Sequence, residues 1–157
     1  MITGKFTGLP DLKAALAGIA PKLRVRALRN ALAAGARVVQ KAARAGAPVI
    51  NPGAVPVRKG YRKPGTVQKA ISVRTSKLAR RTGDVGVFVN VRPAKAGNRG
   101  AKSALDPFYW RWQEFGARAK PGAGFLRAAG LRLGDALRAI VQRLGPAIDK
   151  FNHGGRA

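Results

Sequence analysis

Few side chains in this sequence could carry out acid–base, nucleophilic or metal chemistry. It holds a single histidine, His153, near its C-terminal end, and no cysteine, so neither a histidine base nor a metal cluster is expected. Its six acids are scattered and form no catalytic pair. The glycine-rich segments lack the Gly-Lys-Ser/Thr ending of a phosphate loop. We therefore expect no catalytic residues, no metal and no cofactor, and we expect that the protein is not an enzyme.

Glu114 is the acid with the most distinctive surroundings, because it lies among the aromatic residues between Phe108 and Phe115. A single carboxylate in a chain with 31 basic residues more often serves a structural contact than catalysis. We predict that Glu114 forms an ion pair with an arginine or accepts backbone hydrogen bonds. Either contact would fix the loop that begins at Gly116.

The charge balance predicts a partner of opposite charge. The 31 Lys and Arg residues against six acids give a formal net charge of +25, and residues 12–83 contain no acid. Such a balance usually indicates nucleic acid, although a solvated basic surface or acidic protein neighbours remain alternatives. We expect acidic proteins to neutralise most of the charge and DNA a minority. The candidate contacts with an acidic partner or DNA are Lys77, Arg80 and Arg81.

The aromatic cluster predicts the structural hub of the fold. Phe108, Tyr109, Trp112 and Phe115 share one face of a 3.6-residue period, which indicates a short helix, with a strand as the alternative. Asp106 is the expected N-cap of this helix. We expect its aromatic face to be buried between the first and last long helices, and we assign Trp110, off the stripe, to an interface. The predicted hub consists of Tyr109, Trp112, Glu114, Phe115, Gly116 and Phe125.

The remaining pattern predicts an α+β fold in one domain spanning residues 1–157. A small antiparallel sheet, from strands at 67–75 and 84–92, packs against a long N-terminal helix and a C-terminal helix. Helices are expected at 9–20, 22–45 and 125–144. Pro146 is expected to limit the last of them, with a further turn through Phe151 as the alternative. The long helix carries an apolar stripe from Val25 to Ala42, and its small residues, Gly35 among them, would admit a close neighbour.

Two Gly-rich basic segments, 49–66 and 93–105, are predicted to be arms that contact other subunits or proteins, and 152–157 a frayed tail. The connection at 76–83 is expected to be a basic loop. No apolar run is long enough to span a membrane, so no membrane association is expected. The candidate intersubunit or interprotein contacts in the first arm are Arg58, Lys59, Tyr61, Arg62 and Lys63.

Short motifs occur along the chain in the order typical of one protein family. A Gly-Leu-x-x-Leu-x-x-Ala start lies at 8–15, Ala-Pro-Val at 47–49, and a degraded Thr-Gly-x-Leu-x-x-Ser-Ile at 64–71. A Tyr-x-x-aromatic-x-Glu-Phe-Gly motif then lies at 109–116, followed by Phe-Leu-Arg at 125–127. The chain thereby resembles the tail-completion, or head–tail joining, proteins of long-tailed bacteriophages, which include the minor tail protein Z of lambdoid phages. It departs from their pattern at Ala117, Gly124 and Ala128.

This resemblance implies a structural virion protein of the neck or tail, assembled in the host cytoplasm. It implies a ring of six subunits that completes the tail, joins it to the head and forms part of the DNA conduit. The implied partners are a head-closure or connector protein and a tail terminator or tail-tube protein, with possible DNA contact in the channel. The alternatives are a tail terminator that caps the tail tube and a basic nucleic-acid-binding protein unrelated to virions.

Overall fold

The computed structural model describes residues 13–14, 17, 21–49, 63–101, 103–117 and 120–153, and its fold is α+β, as predicted. Of the expected helix at 9–20, Lys13, Ala14 and Ala17 are helical, and the rest lies outside the described residues. The elements in chain order are α1 (Pro21–Gly46), α2 (Thr66–Ala70), β1 (Ile71–Thr75), α3 (Lys77–Arg81), β2 (Val87–Val91), α4 (Trp110–Phe115), β3 (Gly116–Ala117), β4 (Lys120–Pro121), α5 (Phe125–Gly130) and α6 (Leu133–His153).

The long helix α1 matches its predicted span, but its buried face differs from the predicted stripe. Ala27 and Ala31, which lie off the predicted stripe, are buried together with Gly35, which belongs to it, whereas Val25 is 40% exposed. The small residues face α6, and a Cβ on Gly35 would lie 2.6 Å from Cγ1 of Ile140. Because the two helices approach so closely, only small side chains fit between them. The predicted close approach of a neighbour at the small residues of α1 is thereby confirmed.

Substitution of Gly35 by Ala should destabilise the protein although alanine favours helices. The new methyl group would overlap Ile140 and the carbonyl oxygen of Ala136, which lies 2.7 Å from the Cβ position. Overpacking of this kind costs about 1–3 kcal/mol. The matched control is Gly134→Ala in α6, where a Cβ meets nothing within 4 Å, so a gain of up to about 1 kcal/mol is expected. Urea unfolding that moved both variants in the same direction would contradict this packing.

The predicted antiparallel pairing of two strands is confirmed, with shorter strands than expected. β1 pairs with β2 in a register that places Ile71 opposite Val91 and Thr75 opposite Val87. Residues 67–70, expected in the first strand, are helical instead. The connection expected to be a loop contains α3, because the Ser76 hydroxyl accepts a hydrogen bond from the Ala79 amide at 3.1 Å and caps that helix.

The predicted last helix at 125–144 is two helices, α5 and α6. The amides of Leu131 and Arg132 donate to carbonyl oxygens three residues back, a tighter turn that ends α5. Pro146 does not limit α6, which continues to His153. Proline leaves the carbonyl of Gln142 without its helical donor, but both residues lie on an exposed face where water can bond to that carbonyl.

Two apolar clusters form the core of the described residues. The first is built around Phe125, Ile71 and Val67, with Tyr109 at its margin. The second lies between α1 and α6 and contains Ala27, Ala31 and Leu144. The last long helix therefore packs on α1, whereas the aromatic segment packs in the other cluster, next to α5. None of the helices in the described part of the chain is long and apolar enough to cross a membrane.

Candidate assembly site

Glu114 caps the start of a helix that lies twelve residues further along the chain. Its carboxylate is 5% exposed, and it accepts hydrogen bonds from the amides of Leu126 at 2.8 Å and Arg127 at 2.9 Å. These amides belong to the first turn of α5, where backbone donors have no partner within the helix. The N-cap residue itself, Gly124, supplies no side-chain hydrogen bond. Glu114 thus takes the second of its two predicted roles, as an acceptor of backbone hydrogen bonds.

The chain between Glu114 and α5 is fixed by backbone contacts. The amides of Ala123 and Gly124 donate to the carbonyl oxygens of Gln113 and Glu114 at 2.7 and 3.1 Å. Gly116 has a φ of 88°, and a Cβ on Gly122 would overlap the carbonyl oxygen of Glu114. Glycine is needed at both positions because the backbones touch. We call this unit, made of Glu114, the β3–β4 pair and the first turn of α5, the clasp.

The clasp sets the orientation of the aromatic helix α4. Glu114 occupies a buried position, so Trp110, one turn earlier on the same face, packs against the first core cluster. Trp112 and Phe115 therefore lie on the outer face and are 57% and 67% exposed. The prediction that both residues lie in the buried hub was wrong. Trp110, assigned to an interface, contacts the core instead, and the Arg111 guanidinium lies 5.7 Å from the centre of its ring.

Phe108 links the exposed and buried aromatic residues. Its ring packs edge-to-face against Tyr109, which is buried, with ring centres 5.6 Å apart, and against Trp112 at 5.7 Å. The predicted periodicity is thus present, but most of the stripe faces out of the molecule. We call Phe108, Trp112 and Phe115 the aromatic stripe. Exposed aromatic residues that lie together in this way are typical of protein–protein contact sites.

Asp106 has a different role from the predicted one. It does not cap the aromatic helix, whose N-cap residue, Tyr109, makes no side-chain capping bond. Its buried carboxylate instead accepts hydrogen bonds from the amides of Ala94 at 3.1 Å and Gly100 at 2.5 Å. The segment 93–105 is thereby attached to its own chain. An aspartate next to a glycine-rich loop often bonds to backbone amides, which is the signal that could have indicated this role.

The predicted basic contacts are only partly visible. Arg58, Lys59, Tyr61 and Arg62 lie outside the described residues. Lys63 is exposed, and its amide donates to the carbonyl of Ala104 at 3.3 Å, which links the C-terminal parts of the two predicted arms. The three other basic residues lie on α3 and are exposed to solvent: Lys77, Arg80 and Arg81. The role of these bases as contacts stays a prediction.

The comparison with protein families identifies the class of protein. The family model described as "Bacteriophage HK97-gp10, putative tail-component" matches residues 11–116, which is more than half of the chain. The chain belongs to this family. The predicted resemblance to phage tail-completion proteins is consistent with it, and the family indicates a tail component of a virion that interacts with other virion proteins. Comparisons with curated proteins and with solved structures gave no match.

The family match includes the carboxylate side of the clasp but not the helix that it caps. Glu114 and Gly116 lie at the end of the matched region, together with the aromatic stripe, whereas α5 and α6 lie beyond it. The contact between Glu114 and α5 therefore joins the matched region to the C-terminal helices, in addition to the packing of α1 against α5 and α6. The clasp is the structural contact that holds the aromatic stripe in place on the family's domain.

Proposed function

We propose that this tail component forms a ring of six subunits that completes the tail and joins it to the phage head, as part of the DNA conduit. The observation that carries the proposal is the exposed aromatic stripe. Tryptophan and other aromatic residues dominate the binding energy of protein interfaces. A soluble subunit that exposes Trp112 and Phe115 side by side has an apolar surface that association can cover.

A second copy of the chain is the partner that the stripe fits best. Every copy carries a formal charge of +25, so surfaces rich in base repel one another, and the six acids form no run that could offset this. Contact between copies must therefore rely on apolar surface. The stripe supplies such surface, and Phe108 supports it from the core side.

The clasp supports this role by holding the stripe rigid before association. α4 has only six residues, too few to be stable alone, and its orientation depends on the two hydrogen bonds that Glu114 accepts from amides of α5. A contact surface that is already ordered loses less conformational entropy on binding. The protein acts, in this proposal, by contacts rather than by catalysis.

The basic surface has a separate role in the proposal. Acidic faces of the adjacent virion proteins would neutralise most of the charge, and DNA in the conduit a smaller part. Among the candidate bases, α3 presents Lys77, Arg80 and Arg81 to solvent. A nucleic-acid-binding protein is the second candidate function, and these three bases favour it. Tight binding to free DNA that weakens steeply with salt would support that alternative.

Removal of Trp112 should prevent assembly while leaving the fold stable. Trp112→Ala is expected to lose the ring, measured as molar mass by light scattering and as the yield of joined virions. Because the side chain is exposed, the stability loss should be within about 1 kcal/mol. Leu131→Ala is the control, since Leu131 is an exposed apolar residue outside the stripe. Unchanged mass and virion yield for Trp112→Ala would refute the role of the stripe.

A further inference from the structure

An open cleft of about 420 Å³ lies between the polar face of α1 and the outer edge of β1. α1 contributes Arg29, Arg37 and Gln40 to it, and β1 contributes Val73, Arg74 and Thr75. The cleft is separate from the aromatic stripe, and none of the residues of the stripe lines it. Its three arginines had no assigned role in the sequence.

The floor of the cleft is an unpaired strand edge. The amide of Arg92 donates to the carbonyl of Ala70, and the amide of Ser76 donates to the carbonyl of Gly86. The N–H and C=O groups of the even-numbered residues of β1 thus point toward β2, because the backbone groups of successive residues point to alternate edges of a strand. Val73 and Thr75 therefore present their N–H and C=O groups to the cleft. Within the described part of the chain, these groups bond to no other element.

The neighbouring residue Ile71 confirms which edge faces α1. The carbonyl of Ile71 points to the same edge of β1 as that of Val73. It accepts hydrogen bonds from Nε2 of Gln40 at 2.9 Å and from the Arg44 guanidinium at 2.9 and 3.2 Å. Side chains of α1 thus satisfy the first acceptor on this edge. Val73 and Thr75, the next two odd-numbered residues of the strand, offer the free groups.

The charge of the cleft is uncompensated. Arg29, Arg37 and Arg74 are exposed, and no acid lines the cleft. The salt bridges of Asp135 are formed with Arg132 and Arg138, and neither involves these three arginines. Charged residues along a strand edge oppose pairing with an identical edge. They attract, in contrast, a strand that carries carboxylates.

We propose that this cleft binds an extended acidic segment of a different protein, which pairs with β1 as an added strand. The free edge supplies alternating donors and acceptors, and the arginines supply partners for carboxylates. A second copy of the chain does not fit, because its six acids form no acidic run. A nucleic-acid phosphate could bond to the arginines but would leave the strand edge unused. The inference rests on the proposed function only in taking the partner to be a neighbouring virion protein.

The test measures binding of a short blocked peptide that alternates Glu with Val, by calorimetry at physiological salt. The variant Arg37→Glu/Arg74→Glu should bind it at least about 10-fold more weakly than the unchanged protein. The matched control is Arg143→Glu/Lys150→Glu, which makes the same charge change at exposed positions of α6 outside the cleft. This control should weaken binding by less than about 3-fold.

The same peptide, N-methylated at every residue, tests the strand pairing on the unchanged protein. It keeps its charge but has no backbone N–H group on either edge, so it cannot form a β ladder and its binding should be lost. Hydrogen exchange should show protection of the Val73 and Thr75 amides when the unmodified peptide binds. Because this measurement uses the unchanged protein, its result is valid even if the double variant fails to fold.

Three results would overturn the proposal. Equal weakening by both double variants would show general attraction to a basic protein. Equal binding of the N-methylated peptide would exclude strand pairing. Tighter binding of a single-stranded DNA of matched charge, with the same dependence on Arg37 and Arg74, would make the cleft a nucleic-acid site. None of these results affects the molar mass of the assembly that the Trp112→Ala variant forms. A failure of the cleft proposal can therefore be told apart from a failure of the ring proposal.

Discussion

Phe125→Ala is expected to destabilise the protein by about 3–5 kcal/mol. The Phe125 side chain is 1% exposed and is the largest of the fully buried side chains among the described residues. It lies at the start of α5, in the cluster with Ile71 and Val67, and its Cβ lies 3.6 Å from the Cβ position of Gly46 at the end of α1. Truncation would leave a cavity where the clasp, the sheet and α1 meet. Urea-induced unfolding followed by circular dichroism measures the loss.

Phe115→Ala is the matched control for this prediction, because the same atoms are removed from a side chain that is 67% exposed. Its stability change should stay within about 1 kcal/mol. A larger loss for Phe115→Ala than for Phe125→Ala would mean that the aromatic helix is oriented the other way, with the predicted stripe toward the core.

Glu114→Gln is expected to cost about 2–3 kcal/mol, because hydrogen bonds to a buried charged group are lost. The glutamine oxygen can accept one of the two amides, but its NH₂ group then faces the other amide, and two donors cannot bond. The first turn of α5 loses part of its cap, so the stripe loses its fixed orientation. Thermal unfolding and ring assembly should both be impaired.

The control for Glu114 is Asp135→Asn, which removes the same charge from a residue paired with Arg132 and Arg138 at an exposed site. Exposed ion pairs contribute about 0–1 kcal/mol. If Glu114→Gln melted and assembled like Asp135→Asn, the clasp would not hold the stripe. Normal ring assembly together with a large stability loss would limit Glu114 to a role in folding.

The sequence predicted the elements with strong periodicity. The 3.6-residue period of α1 and the alternating valines of β2 identify a long helix and a strand, because each pattern fits only one backbone geometry. The close approach at Gly35 was also predictable, since a run of small residues leaves room for a neighbour. The break between α5 and α6 was not, because it depends on two amides that bond three residues back.

The direction of the aromatic stripe could not be predicted from its period. A helical period shows that Trp112 and Phe115 share a face, but the partner that covers this face is not encoded in the spacing. The carboxylate of Glu114 determines which face of α4 points outward, because the hydrogen bonds that it accepts from α5 require that it point inward. The same limit applies to α1, where the close neighbour selects the face of Ala27 and Ala31 over that of Val25.

Site-specific photocrosslinking from position 112 in the assembled virion tests the central claim most directly. A benzoylphenylalanine in place of Trp112 reacts with whatever covers that side chain, and mass spectrometry of the digested product identifies it. We expect crosslinks to a second copy of this chain, in particles that still contain joined tails. Crosslinks confined to another virion protein or to DNA, with none to a second copy, would contradict the proposed ring contact.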